Sequence, residues 1–123
     1  MSKRIFITGI GIISAIGNGV EQTMLHLKSA QSGVGPIAHL QTSHQGKLPL
    51  CEVKYTNAEL CQLAKIPFNQ PITRNSLLGI LAAREAWLSA GAPVLNDGRT
   101  AVLSGTTVGG MDLTEHFYAD FLK

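Results

Sequence analysis

Apolar positions divide the chain into short runs and helical repeats, separated by segments rich in glycine. Residues 3–8 contain three consecutive apolar side chains, which is typical of a strand buried on both faces. Residues 100–105 form a second run of this kind. Residues 50–55 alternate between apolar and polar side chains. We therefore expect two core strands and one peripheral, half-exposed strand.

Apolar residues at helical spacing predict helices over about 20–30 and 72–90. Two further helices are expected, one over 57–65 and one that begins near Met111 or Asp112. Thr56 and Glu59 stand in the relation of a capping box, which predicts the start of the second helix. Gly91 is placed to end the third helix, and Pro93 prevents its continuation. Residues 32–49 are punctuated by glycine, proline and polar side chains, so we expect a loop there.

Alternating strands, loops and helices indicate the α/β class, with mainly parallel core strands flanked by helices. Two core strands are too few for such a sheet, because a parallel sheet needs several neighbours and cover on both faces. We therefore expect residues 1–123 to be a single segment of a larger fold, or a chain completed by a partner.

Composition and charge exclude several classes of protein. The chain is 45% hydrophobic and 15% charged, which rules out disorder, and its net charge of +2 is not concentrated in any basic patch that would bind nucleic acid. Every long apolar stretch is interrupted, so we expect no membrane span. Cys51 and Cys61 lack neighbours at metal spacing, and we interpret both as buried thiols of a reducing compartment, the cytoplasm.

Two glycine motifs are the candidates for ligand binding. Residues 9–14 come close to the dinucleotide-binding fingerprint, but Ser14 replaces the third glycine and residues 17–19 delay the helix. Residues 105–110 lack the lysine that a phosphate-binding P-loop requires. Both motifs are expected to be turns out of strands, the second allowing close approach to a ligand, with nucleotide binding kept as an alternative. We expect no cofactor or metal, since the four histidines are scattered.

Four segments in order resemble the β-ketoacyl-acyl-carrier-protein synthases. Residues 4–19 are similar to the opening V-x-I-T-G-x-G-x-x-S-P-x-G of that family, and residues 29–34 to its A-G-x-S-G-I segment. Residues 73–91 resemble the long family helix that ends in D-A-G, and residues 99–110 resemble the strand with its G-T-x-x-G-G loop. The resemblance covers nearly the whole chain.

This resemblance implies a thiolase-like fold in a homodimer, and a decarboxylative Claisen condensation between a cysteine-bound acyl group and malonyl-carrier protein. In the family, the nucleophilic cysteine and two histidines follow the glycine loop, so we expect the chain to end before all three. Neither cysteine of the chain occupies the family position, and His116 matches no catalytic histidine. The chain alone is therefore expected to be inactive.

The resemblance also assigns candidate site residues. Val108 matches the family position that borders the acyl pocket, and Gly105, Gly109 and Gly110 match the loop that frames this pocket. The implied partner is an acyl carrier protein. Gln70 and Pro71 stand where relatives commonly carry basic residues that dock this acidic partner, which puts that contact in doubt.

Alternative interpretations belong to other classes of protein. The chain could serve as a non-catalytic chain-length-factor-like partner, or as a structural or interaction module that gains its missing strands by forming a homo-oligomer. The reading frame beyond Lys123 would separate these alternatives from the synthase.

Overall fold

The computed structural model describes residues 4–94, 98 and 100–123, which divide into two compact units. The first unit contains the described residues through Lys54 together with Leu81–Val94. The second contains Tyr55–Ile80 and the described residues from 98 onward. Lys3, where the first predicted strand begins, and Arg99, where the last family-like segment begins, lie outside the described residues.

The first unit contains two small antiparallel ladders. Strand β1 (Ile13–Ser14) pairs with β2 (Gly17–Asn18), so that the first glycine-rich loop folds into a hairpin. Strand β3 (Val34–Pro36) pairs with β4 (Pro49–Cys51). The β3–β4 ladder ends on Pro36 opposite Pro49, as expected because proline cannot donate a ladder hydrogen bond.

Helices carry most of the regular structure. They are α1 (Val20–Lys28), α2 (Asn57–Ala64), α3 (Arg74–Ser89) and α4 (Met111–Phe121). The four predicted helices are confirmed, with ends within about two residues of the prediction. Residues of α3 through Ile80 belong to the second unit, and those from Leu81 belong to the first.

Local signals set the helix ends as predicted. Thr56 and Glu59 form the complete capping box: the Glu59 N–H donates to Thr56 Oγ1 (3.2 Å), and the Thr56 N–H donates to Glu59 Oε2 (2.7 Å). After α3, Gly91 adopts a left-handed conformation (φ 83°) and its N–H donates to the Leu88 carbonyl oxygen. Helix α2 ends instead on Lys65, which takes the left-handed conformation without being glycine.

Each unit buries few side chains. In the second unit, Leu60 and Leu77 are fully buried with Cys61 beside Leu60 in sequence, so α2 and the start of α3 supply the core. In the first unit, Ile37 is the buried hydrophobic side chain among the described residues, and Thr23 and Glu52 are buried polar ones. Backbone packing and polar contacts therefore hold the first unit together more than a hydrophobic core does.

The predicted strands require correction. Neither residues 4–8 nor 100–105 form a strand, and Ile5, Phe6 and Ile7 are 94%, 74% and 84% exposed. The peripheral strand covers only Pro49–Cys51, and its partner β3 lies in the predicted loop. The paired strands of the described chain are antiparallel, so it shows no parallel core. A strand buried on both faces needs hydrogen-bonded neighbours, and the described residues supply none to either apolar run.

Candidate functional site

The first glycine motif packs directly on α3. A β-carbon on Gly9 would lie 2.0 Å from the Ala86 carbonyl oxygen, and one on Gly11 would lie 1.9 Å from the Ala82 carbonyl oxygen. Real β-carbons do not approach oxygen so closely, so only glycine allows this contact between the loop and the helix. The glycines therefore serve close packing of the backbone.

The N–H groups of this loop bind side chains of the same helix. Glu85 accepts hydrogen bonds from the backbone N–H of Ile12 (2.8 Å, at Oε2) and of Val20 (2.7 Å, at Oε1), and Ser89 Oγ accepts one from Ile10 (3.0 Å). Val20 is the first residue of α1, so the Glu85 carboxylate occupies the positive end of that helix. A pyrophosphate would need the same position, which argues against the nucleotide-binding alternative.

The second glycine motif forms the loop between residues 105 and 110, immediately before α4. All four candidate site residues, Gly105, Val108, Gly109 and Gly110, therefore lie together on one loop. Gly109 adopts a left-handed conformation (φ 62°), and Val108 is 58% exposed. A β-carbon on Gly105 would meet no described atom within 4 Å, whereas one on Gly110 would lie 2.8 Å from Thr73 Cγ2.

A side chain of α3 holds this loop. Asn75 Nδ2 donates to the Gly109 carbonyl oxygen (2.7 Å) and to Thr106 Oγ1 (3.4 Å). Thr106 Oγ1 also accepts from the Gly109 N–H (3.2 Å). Both backbone polar groups of Gly109 are thereby paired, and the conformation of the candidate loop is tied to the first turn of α3.

A buried carboxylate organises a separate turn in the first unit. Glu52 accepts hydrogen bonds from the backbone N–H groups of Ala38 (2.9 Å), His39 (3.0 Å) and Leu40 (2.7 Å). Burial raises the pKa of the Glu52 carboxyl. The three hydrogen bonds and the nearby His39 lower this pKa by more than burial raises it, so it lies below its usual value of 4.5. The site is a structural anion site filled by the chain itself.

The cysteines and histidines do not converge in the described chain. Cys61 is buried as predicted, but the prediction for Cys51 is wrong, because it lies exposed on the uncovered ladder strand β4. His26 Nδ1 contacts the Ile16 carbonyl oxygen. No group of three or more potential ligands (His, Cys, Asp or Glu) among the described residues is placed to hold a metal ion. Gln70 and Pro71 are exposed in the turn between α2 and α3.

Sequence reasoning missed the side chains that bind the two loops. Glu85 and Asn75 lie on a helix that the apolar pattern predicts, but their partners are 65 to 73 and 31 to 34 residues away. The sequence marks each of these two residues only as a polar side chain among apolar ones on α3. This signal does not identify the distant backbone groups that the side chain binds.

Comparison with known families gives the same family that the motifs of the two glycine loops resemble. The sequence profile described as "Beta-ketoacyl synthase, N-terminal domain" matches residues 2–120. The chain belongs to the β-ketoacyl synthase family. Among curated relatives of the chain, 3-oxoacyl-[acyl-carrier-protein] synthase 2 of Coxiella burnetii is 29% identical over 119 residues, covering 94% of the chain and 28% of the relative. The protein of the same name from Vibrio cholerae is 31% identical over 118 residues, with the same two coverages.

A relative with a different name extends this result. Nodulation protein E of Rhizobium meliloti is 28% identical over 128 residues, covering 99% of the chain and 30% of the relative. The chain therefore spans less than a third of the length of these relatives. No solved structure is significantly similar to it. Among the described residues, no helix is long and apolar enough to cross a membrane.

Proposed function

We propose that the chain is the N-terminal segment of a β-ketoacyl synthase that performs decarboxylative Claisen condensation in fatty acid or polyketide-type biosynthesis. The observation that carries this proposal is the family match over residues 2–120, which includes both glycine loops. The relatives named 3-oxoacyl-[acyl-carrier-protein] synthase 2 support the same reaction class. The thiolase-like fold would then be completed by residues outside this chain.

In the proposed reaction, a cysteine thiolate outside residues 1–123 attacks an acyl thioester and releases the carrier thiol. A malonyl thioester then loses CO₂, and the resulting enolate carbon attacks the acyl-cysteine carbonyl, which yields a 3-oxoacyl thioester and frees the cysteine. The contribution of this chain is the loop of residues 105–110. We assign Val108 to the border of the acyl pocket, because it matches the family position next to that pocket. We assign Gly105, Gly109 and Gly110 to the loop that frames the pocket, since they match that loop in the family and lie on one loop with Val108 here.

The experiment that tests this function uses the complete product of the reading frame that contains residues 1–123. We expect this product to convert acyl-carrier protein and malonyl-carrier protein to 3-oxoacyl-carrier protein with one CO₂ released per condensation. The 123-residue chain alone should yield no product, because its two cysteines do not occupy the family position of the nucleophile. A complete product that binds both carrier proteins without condensing them would favour the chain-length-factor-like alternative.

The proposed partner is an acyl carrier protein, and the proposed assembly is a homodimer. Gln70 and Pro71 are exposed and uncharged where relatives commonly carry basic residues, so the acidic carrier should gain little electrostatic attraction there. We predict that Gln70→Lys tightens carrier binding by about twofold to fivefold, the range of one exposed ion pair.

Surface plasmon resonance at two salt concentrations measures this effect. The gain from Gln70→Lys should shrink as salt rises, since exposed charges are screened. Gln70→Glu is the matched control and should weaken binding. Equal affinities for the lysine and glutamate variants would contradict docking of the carrier at this turn.

A further inference from the structure

We propose that Asn75 is a positioning residue for the loop of residues 105–110, and that it holds Val108 where the acyl chain would enter its pocket. The role of the loop in this inference rests on the proposed function. The control of the loop conformation by Asn75 rests on contacts within the second unit alone.

The hydrogen bonds converge on Gly109. Asn75 Nδ2 binds the Gly109 carbonyl oxygen at 2.7 Å, while the Gly109 N–H binds Thr106 Oγ1, which also accepts a second, longer bond from Asn75. One side-chain amide thus ties the residues on both sides of Val108. Because an amide nitrogen has two donor hydrogens, Asn75 can make both bonds at once.

Gly109 needs this restraint because it adopts a left-handed conformation, and glycine populates many competing conformations when its backbone is not held. The adjacent Gly110 is limited from the other side, since its α-carbon lies so close to Thr73 that a β-carbon would be 2.8 Å from Thr73 Cγ2. The start of α3 therefore shapes the loop at two consecutive residues, through Asn75 and Thr73.

In the part of the chain that the structure describes, Val108 makes no hydrogen bond comparable to those of Gly109. Its side chain is 58% exposed, so packing does not fix where it points, and its position follows from the backbone on either side. Loss of the Asn75 bonds should let the loop sample other conformations and move Val108. In a pocket lined at this position by Val108, such movement would change which acyl chains fit.

The first test measures the loop by amide hydrogen exchange at Gly109 in the complete product of the reading frame that contains residues 1–123. Asn75→Asp is nearly isosteric but cannot donate, and its charge near the amino end of α3 favours the helix, so it separates loop release from helix loss. We expect Gly109 to exchange about threefold to tenfold faster in both Asn75→Asp and Asn75→Ala, as for loss of one hydrogen bond. Asn69→Ala, a matched change in the same unit, should leave this rate unchanged. Wild-type exchange at Gly109 in Asn75→Asp would overturn the inference.

The second test measures acyl selectivity in the complete product of the reading frame. The ratio of kcat/KM values for a short and a long acyl-carrier protein should shift by about threefold or more in Asn75→Asp, and Asn69→Ala should keep the wild-type ratio. A wild-type protein that condenses no acyl group would refute the proposed function and leave the exchange result to decide the control of the loop. An active protein whose selectivity is the same in wild type and Asn75→Asp would refute the role of Asn75 at the pocket.

Discussion

Two glutamates and one asparagine show how single side chains organise irregular backbone in this chain. Glu52 binds three consecutive N–H groups, Glu85 binds the hairpin loop and the start of α1, and Asn75 binds the second glycine loop. Glycine-rich segments leave many backbone N–H groups without ladder partners, and buried ones must be paired. In this chain, polar side chains therefore pair with backbone groups that strand pairing would satisfy in a sheet.

The sequence predicts such contacts only when they are local. The capping box of Thr56 and Glu59 is separated by three residues and is confirmed. The partners of Glu52 lie 12 to 14 residues away, and those of Glu85 lie 65 and 73 away. No periodic pattern links residues at such separations, because the turns between them set the geometry. The assignment of Val108, Gly105, Gly109 and Gly110 to an acyl pocket comes from family resemblance and stays a prediction.

For Glu52 we predict a stability that depends on pH. Its folded-state pKa lies below the usual 4.5, so its contribution is complete above about that pH and is lost as the pH falls through the folded-state pKa. Glu52→Gln should lower the free energy of unfolding by about 1–3 kcal/mol at pH 7, because three backbone N–H groups lose a charged acceptor. Urea unfolding from pH 7 to pH 3 measures this.

The difference between wild type and Glu52→Gln should shrink as the pH falls from about 4.5 through the lower folded-state pKa, because Glu52 takes up a proton first in the unfolded chain and then in the folded one. Glu21→Gln, at an exposed glutamate of the same unit, is the control and should cost less than about 1 kcal/mol at any pH. A difference that stays constant down to pH 3 would show that the charge of Glu52 is not what holds the turn.

For Glu85 we predict a graded loss of stability. Glu85→Gln keeps one acceptor oxygen and should cost about 1–2 kcal/mol, while Glu85→Ala removes both and should cost more. Urea unfolding at pH 7 with an unchanged m-value measures the loss. If Glu85→Gln were no more costly than Glu21→Gln, the carboxylate would not be fastening the loop to α3.

At the scale of elements, the four helices were predictable, whereas of the three predicted strands only the peripheral one forms in the described chain, in part, as β4. A helix satisfies its hydrogen bonds internally, so apolar spacing and end signals such as Gly91 suffice to locate it. A strand exists only with a neighbour. The apolar runs at residues 4–8 and 100–105 have strand composition but form none in the described chain, whereas β3 forms in a segment of loop composition because β4 pairs with it.

The packing of the first loop on α3 gives a test with opposite signs. Gly11→Ala should destabilise the chain by roughly 1–3 kcal/mol or more, because its β-carbon would overlap the Ala82 carbonyl oxygen. Gly79 lies in α3, the helix that contains Ala82, and a β-carbon there would meet no described atom within 4 Å. Gly79→Ala should therefore stabilise the chain by about 0.5–1 kcal/mol. Thermal unfolding of both variants measures the pair, and destabilisation by Gly79→Ala equal to that by Gly11→Ala would refute the packing account.

For the whole molecule, the main feature is the apolar surface left uncovered. Ile5 and Ile7 in one unit are highly exposed, and so are Val102 and Leu103 (89% and 92%) in the other. All four belong to apolar runs that pair with no strand among the described residues. Exposed apolar surface of this kind favours association with other chains. Relatives more than three times as long contain additional chain that could supply such partners.

We predict that the 123-residue chain associates or is marginally stable in isolation. Sedimentation velocity over a range of micromolar concentrations should show species larger than a monomer. Ile7→Lys and Val102→Lys should reduce this association, and Gln41→Lys, at an exposed polar position, should leave it unchanged. A wild-type monomer that unfolds cooperatively with high stability would contradict the prediction.

The central claim of the proposed function is that this chain is the N-terminal segment of a condensing enzyme whose nucleophilic cysteine lies outside residues 1–123. Peptide mass spectrometry tests it most directly, after the complete product of the reading frame is incubated with an acyl-carrier protein. We expect one acyl group, transferred as a thioester to a cysteine outside residues 1–123. An acyl group on Cys51 or Cys61, or a complete product that takes up none, would contradict the claim.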